Sequence, residues 1–237
     1  MNTRISAISS MATRQVLADL AAAYAKAHGV EVQIESVGGV DAARRVQAGE
    51  VFDLVVLASD AIAKLSAEGH VLPDSRRAIV DSAVALAVRE GTTPLPDITS
   101  EEALRRSVLA ARSIGYSTGP SGTALLRLFE RWGLKDALAA RLVQARPGVP
   151  VGGLVASGEA ELGFQQLSEL MNVPGITLLG GMPPGLEIVT SFVGAVGARS
   201  VQPEVVRGLL EFMDADDTRS LKRQNGMDHL HPEEPGR

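Results

Sequence analysis

Phe52-Asp53-Leu54-Val55-Val56-Leu57-Ala58-Ser59-Asp60 decides how the rest of the chain is read. Its centre, Leu54-Val55-Val56-Leu57, is apolar without interruption. A strand with one wet face alternates apolar and polar residues; an unbroken apolar run marks a parallel strand covered by helices on both faces. The Ser59-Asp60 pair predicts a helix over 61–67, stopped by Gly69. Working back, Gly49 closes a short helix over 40–48, and Gly38-Gly39 ends an alternating strand over 30–36. Earlier still, Val16, Leu17, Leu20 and Tyr24 recur at helical spacing within 12–28. Ser9 or Ser10 caps that helix, Gly29 ends it, and a strand over 4–8 precedes it. Strand and helix alternate three times, with a Ser- or Gly-rich turn after each strand. The pattern predicts an α/β fold of mostly parallel sheets flanked by helices.

The chain beyond repeats the theme less regularly. Strands are predicted over 83–88, 113–116, 162–165 and 187–197. Helices are predicted over 100–110, 123–132, 149–157 and 203–213; Ser100 caps the first and Pro203 opens the last. Segment 91–98, with Pro94 and Pro96, reads as a loop. The strands near 83–88 and 187–197 divide the chain into two lobes, 1–82 with 197–237 and 83–196. The polar tail carries His229 and His231, which read as a solvated terminus rather than a metal site.

Composition narrows the function. Lys and Arg number 23 against 28 Asp and Glu, a net charge of −5, which argues against nucleic-acid partners and anionic membranes. With 45% hydrophobic and 22% charged residues the 237-residue chain is an ordinary globular protein. The absence of cysteine excludes disulfides, thiolate metal sites and cysteine nucleophiles. Met1-Asn2-Thr3-Arg4 runs directly into the first strand, and no segment approaches the roughly 20 apolar residues of a membrane span. The expectation is a cytoplasmic protein without membrane insertion, or a periplasmic one if a leader has been removed.

Ligands of open α/β sheets bind outside the carboxyl ends of the strands. That edge carries Ser9-Ser10-Met11, Gly38-Gly39, Ser59-Asp60 and Ser117-Thr118-Gly119-Pro120-Ser121-Gly122. Loops that pass from strand to helix present unpaired backbone N–H groups at the positive end of the helix dipole, so a small anion is the expected ligand. The last loop lacks the Gly-Lys-Ser/Thr ending of a phosphate loop, and Gly148-Val149-Pro150-Val151-Gly152-Gly153 lacks dinucleotide-binding spacing. Arg14, Arg44 and Arg45 read as solvated helix faces.

Ile8-Ser9-Ser10-Met11, the run Arg44-Arg45-Val46-Gln47-Ala48-Gly49-Glu50 after Gly39, and Phe52-Asp53-Leu54-Val55-Val56 together resemble the molybdate-binding periplasmic protein family. Ser117–Gly122, Gly158-Glu159-Ala160-Glu161-Leu162-Gly163-Phe164-Gln165-Gln166 and Gly226-Met227 extend the resemblance over nearly the whole chain. It implies a two-lobed type II periplasmic-binding fold closing over an oxyanion. Matched residue by residue, the family's first oxyanion serine falls on Ser10 and its second on Gly39, where the hydroxyl is lost. Backbone donors fall on Ser121 and near Val149, and the tyrosine ligand falls on Gln166. Each lost hydrogen bond to a charged ligand is worth about 1.5–3 kcal/mol, so a pocket without two of its usual donors departs from molybdate. Gln165 and Gln166 with Gly38 and Gly39 imply a roomier pocket with amide donors.

Ser9-Ser10-Met11-Ala12-Thr13-Arg14 and Gly163-Phe164-Gln165-Gln166-Leu167-Ser168-Glu169-Leu170 are similar to an aconitate isomerase-like subgroup of that family. This implies cis/trans isomerisation of a small tricarboxylate by an allylic proton shift, without cofactor or metal. Ser117 joins the substrate-binding set. Asp41, beside the glycine pair, and Tyr116, at the end of a strand, are the candidate bases; an anionic neighbour would raise the pKa of Asp41. The alternative is a non-catalytic binding protein for an oxyanion or organic acid, and only this reading brings importer subunits as partners.

Overall fold

The computed structural model describes residues 4–146 and 148–228; His229 and His231 lie outside the described residues. The chain forms β1 (Arg4–Ser10), α1 (Arg14–His28), β2 (Glu31–Val37), α2 (Gly39–Gln47), β3 (Leu54–Ala58), α3 (Ser59–Ala67), β4 (Arg77–Arg89), α4 (Glu101–Ala110) and β5 (Ile114–Tyr116). It continues through α5 (Pro120–Arg131), α6 (Lys135–Leu138), β6 (Leu142–Gln144), α7 (Val151–Ser157), β7 (Leu162–Gln166), α8 (Leu167–Leu170), β8 (Ile176–Gly181), β9 (Val189–Val196), α9 (Pro203–Asp214) and α10 (Arg219–Gln224). It divides into two compact units, 1–82 with 190–237, and 83–189. β9 runs antiparallel beside β3, from Ala58–Phe192 to Leu54–Val196.

In the first unit the order is β2-β1-β3-β9, with the first three strands parallel. All five residues of β3 are buried, as its unbroken apolar run requires. Their side chains alternate between two cores. Leu54 and Val56 join Val16, Leu17 and Leu20 of α1 and Val206, Leu209 and Leu210 of α9. Val55 and Leu57 join Ala42 and Val46 of α2 and Ile62 and Leu65 of α3. Burying each large side chain stabilises by roughly 1.5–3 kcal/mol, so helices on both faces are what the apolar run demands. Asp53, just before β3, fastens the opposite end of the sheet. Its carboxylate accepts from the backbone N–H and hydroxyl of Ser6 at 2.9 and 2.8 Å, from the Ser200 hydroxyl at 2.7 Å and from Gln202 at 3.3 Å.

In the second unit β7 lies antiparallel to the end of β4 and parallel to β5, which pairs in parallel with β6; β8 runs antiparallel beside β4. Val84, Leu86 and Val88 share a core with Leu104 and Val108 of α4, Leu125, Leu128 and Phe129 of α5, and Leu162 and Phe164 of β7. Ala85 and Ala87, on the other face of β4, receive Leu170 of α8. Two short strands, and the short helices α6, α8 and α10, escape the sequence pattern. β6 has three residues, too few for a period, and β8 lies half exposed with no clean alternation.

Candidate functional site

The first unit gathers its predicted residues at the carboxyl ends of adjacent strands. β1 and β2 finish in register, Ser9 beside Ser36 and Ser10 beside Val37. Ser9 is wholly buried, and its hydroxyl meets that of Ser36 at 2.8 Å. It therefore locks the strand ends together rather than facing outward. Ser10 precedes a single 3-10 turn over Met11–Thr13, which carries the chain into α1. The Ser10 side chain makes no capping hydrogen bond. The turn is held instead by Thr13, whose buried hydroxyl donates to the Ser10 carbonyl at 3.0 Å. Met11 is half-buried.

α2 starts at Gly39, with Gly38 as its cap and the Gly38 carbonyl accepting from Ala42 N–H at 2.9 Å. The first N–H groups of such a helix have no intrahelical acceptor. Gly39 and Ser10 are neighbours: a side-chain carbon at Gly39 would stand 3.5 Å from the Ser10 Oγ. The structure thus brings together the hydroxyl that the sequence keeps and the position where it lost one. Asp41 sits in the first turn of α2 and pairs with Arg44. Arg45, read as a solvated face, instead bridges Glu35 and Glu50 and lies 5.5 Å from the Phe52 ring centre. Its hydrogen bonds hold both carboxyls below the usual range. Ser59 and Asp60 are exposed, and Ser59 belongs to α3 rather than capping it.

The second unit gathers its own set where β5 and β7 end. Tyr116 is buried as the last residue of β5, and its carbonyl accepts from Ala145 N–H at 2.9 Å. The following loop turns sharply into α5, with Pro120 in the first helical turn. Ser117 and Ser121 hydroxyls meet at 3.0 Å across this turn. Gly122 closes it, because a side-chain carbon there would collide with the Ser117 carbonyl and press on the Tyr116 ring at 3.2 Å. Val149 is 41% exposed, and its N–H donates to the Arg146 carbonyl at 2.9 Å. The donor expected near Val149 is therefore engaged within its own turn.

Gln165 and Gln166 end β7 and are buried. Gln165 Oε1 accepts from Gly152 N–H at 3.3 Å, and its side chain also hydrogen-bonds Glu169 in α8. Sequence reasoning passed over Glu169 as a site residue, although it lies in the quoted Gln165–Leu170 stretch. The signal was an acid between Leu167 and Leu170 in a turn that packs on β4. Burial pushes this carboxyl up to about 7, against the opposing effect of the Gln165 hydrogen bond. Among the described residues no group of three or more His, Asp or Glu is arranged to hold a metal ion. None of their helices is long and apolar enough to cross a membrane.

The first unit thus brings hydroxyl and backbone groups, and the second hydroxyl and side-chain amide groups, to the carboxyl ends of their strands. The chain belongs to the bacterial extracellular solute-binding protein family, whose model matches residues 5–228. It is 37% identical over 231 residues to an aconitate isomerase of a Pseudomonas species, a match covering 95% of this chain and 87% of that protein. Among solved structures it resembles the periplasmic molybdate-binding protein of Azotobacter vinelandii, with a TM-score of 0.79 and 20% identity over 96% of this chain and all of that one. The sulfate-binding protein of Mycobacterium tuberculosis gives a TM-score of 0.78 and 18% identity over 98% of this chain and 88% of that one. At these identities the solved structures show the fold, which is the periplasmic-binding α/β fold.

Proposed function

We propose that this protein isomerises a small tricarboxylate, interconverting cis- and trans-aconitate. The observation that carries the proposal is the 37% identity to an aconitate isomerase across 95% of the chain. The site chemistry supports it. Ser10, Met11, Gly38 and Gly39 in the first unit, and Ser117, Ser121, Gln165 and Gln166 in the second, are the proposed carboxylate-binding residues, with Ser9 and Val149 as supports of their turns. Asp41 and Tyr116 are the candidate bases.

The proposed reaction needs neither cofactor nor metal. A base takes a proton from the methylene carbon, the C–H electron pair becomes the new C=C bond, and the old π pair takes a proton at the former vinylic carbon. Between these steps negative charge spreads into a carboxylate, which fixed N–H and O–H donors stabilise. The cytoplasmic placement is part of the same proposal and is checked by cell fractionation.

A second reading follows from the family and the two solved structures: a non-catalytic receptor for an oxyanion or organic acid that delivers it to an importer. One experiment separates the two. The purified protein is incubated with cis-aconitate in deuterated water and the products are followed by NMR. The isomerase yields trans-aconitate bearing deuterium at the methylene carbon. Tight molybdate binding with no turnover would establish the receptor instead.

A further inference from the structure

We propose that the first unit carries a second small-molecule site, at the amino end of its sheet, for a monocarboxylate with a small apolar body. The site is a cavity of about 250 Å³ lined by the end of α2, the segment leading into β3, the turn after α3 and the segment after β9. β9 is antiparallel to β3, so the chain leaving Val196 meets the chain entering Leu54, and Gly197 N–H donates to the Asp53 carbonyl at 2.8 Å. Ser10 and Gly39 lie at the other edge, where β1 and β2 end and α2 begins. The second site is therefore separate from the one assigned to the isomerase reading and goes beyond it.

One wall of the cavity is apolar. Val46 from α2, Phe52 and Val55 are buried and belong to one core, and Val51, 53% exposed, extends their surface to the rim. The polar wall is made of donors. Arg199 reaches over from the segment after β9, and its guanidinium donates to the Gly49 carbonyl at the end of α2. Gly49 sits at φ +92°, and a side-chain carbon there would stand 3.2 Å from the guanidinium, so glycine both makes the turn and leaves Arg199 its place. A guanidinium has five N–H donors, and among the described residues Arg199 forms no ion pair. The acids at the rim have other partners: Glu50 receives Arg45 at 2.5 and 2.6 Å, and Glu68 accepts from Gln47 at 2.7 Å. His70 Nε2 is 4.0 Å from the Glu68 carboxylate, beyond hydrogen-bond reach, which leaves the imidazole a nitrogen for a ligand.

This lining selects a class of ligand. A pocket that is mostly apolar with a few convergent polar groups orients an amphipathic molecule, and a guanidinium prefers the two oxygens of a carboxylate. A cationic ligand would meet Arg199, and a tricarboxylate would set charge against Val46 and Phe52. By volume the cavity equals roughly eight waters, the scale of benzoate or hexanoate.

Titration of the whole chain with benzoate, followed by ¹H–¹⁵N NMR, tests the site. The amides of Gly49, Val51, Gly69, His70 and Ala198 are expected to shift and saturate with a Kd of about 1 mM, within reach of so small a ligand. Benzyl alcohol keeps the ring and lacks the charge, so it should bind at least about tenfold more weakly. Arg199→Gln keeps a donor for the Gly49 carbonyl and removes the charge; benzoate affinity should fall about tenfold, while Arg199→Lys keeps most of it. Ala198→Trp, at an exposed rim position, should fill the mouth and abolish the shifts without altering the rest of the spectrum.

Shifts that grow linearly over the whole surface overturn the proposal, as do saturating shifts confined to the amides of Ser10 and Gly39. Benzyl alcohol binding as tightly as benzoate, or a benzoate affinity that Arg199→Gln leaves unaltered, overturns it too. None of these readouts involves aconitate turnover or molybdate, so this site and the isomerase reading stand or fall independently.

Discussion

Two neighbouring positions, Ser10 and Gly39, are proposed to set what the first unit holds. Ser10 was legible as a helix cap or as a ligand donor, and the geometry separates these roles, since its hydroxyl makes no capping bond. Ser10→Ala should therefore shift unfolding stability by less than about 0.5 kcal/mol, short of the 0.5–2 kcal/mol typical of a lost cap. Anion affinity should fall at least about tenfold, as a lost bond to a charged ligand requires. Calorimetric titration beside chemical denaturation checks both. Gly39→Ser is the reciprocal change. The site has room for the new carbon, 3.5 Å from the Ser10 Oγ, and the substitution restores a second hydroxyl. Molybdate affinity should rise about tenfold while cis-aconitate, which needs the space, binds more weakly. Unchanged selectivity in Gly39→Ser would mean that position 39 does not face the ligand.

At the scale of elements, the loop entering α5 holds Tyr116, Ser117 and Ser121 in one tight turn, and a single glycine permits it. Gly122→Ala drives a methyl into the Ser117 carbonyl. A destabilisation of about 1–3 kcal/mol is expected, as for overpacking elsewhere, together with loss of the Ser117–Ser121 contact. Gly119→Ala is the control. That position has open space around it and φ of −84°, which any residue adopts, so its stability should hold. The contrast shows what the sequence disclosed. β3 and α1 were legible because their apolar periods report directly which faces are buried. The Ser117–Gly122 loop was legible as a strand-to-helix turn, but which of its glycines is indispensable was not, since that depends on a carbonyl five residues away in sequence. Glu169 escaped for a similar reason. Its environment is made by α7, β7 and β4, and no local pattern announces that a surface-type residue will be partly buried among them. Arg45 was misread as solvated because its partners, Glu35 and Glu50, lie on either side of α2 in the chain.

For the molecule as a whole, two partly buried carboxyls, Asp53 in the first unit and Glu169 in the second, are shifted in opposite directions. Burial raises the pKa of Asp53 in the first unit, but the hydrogen bonds from Ser200, Ser6 and Gln202 outweigh it and the net shift is downward. A lowered acid gives stability above its unfolded pKa that is lost as pH falls through the folded value. Asp53 therefore costs stability only in strong acid, below about 3.9. Glu169 in the second unit is raised from 4.5 to about 7. A raised acid does the reverse: its native state resists ionisation, so stability declines as pH rises from about 4.5 to about 7 and stays reduced above. The two effects leave a stability maximum on the acid side of neutrality. Glu169→Gln should stabilise the protein at pH 8 by about 1–3 kcal/mol and change little at pH 4.5, because an amide bears the burial that a carboxylate resists. Asp53→Asn should destabilise at both pH values by at least about 1.5 kcal/mol, since its new NH2 faces donors. The two residues share no hydrogen-bond partner. Their double variant should therefore show the sum of the single effects to within about 0.5 kcal/mol. Urea unfolding of the four proteins at pH 4.5 and 8 measures all of this. A Glu169→Gln variant no more stable at pH 8 than the parent would mean that the carboxyl is well solvated.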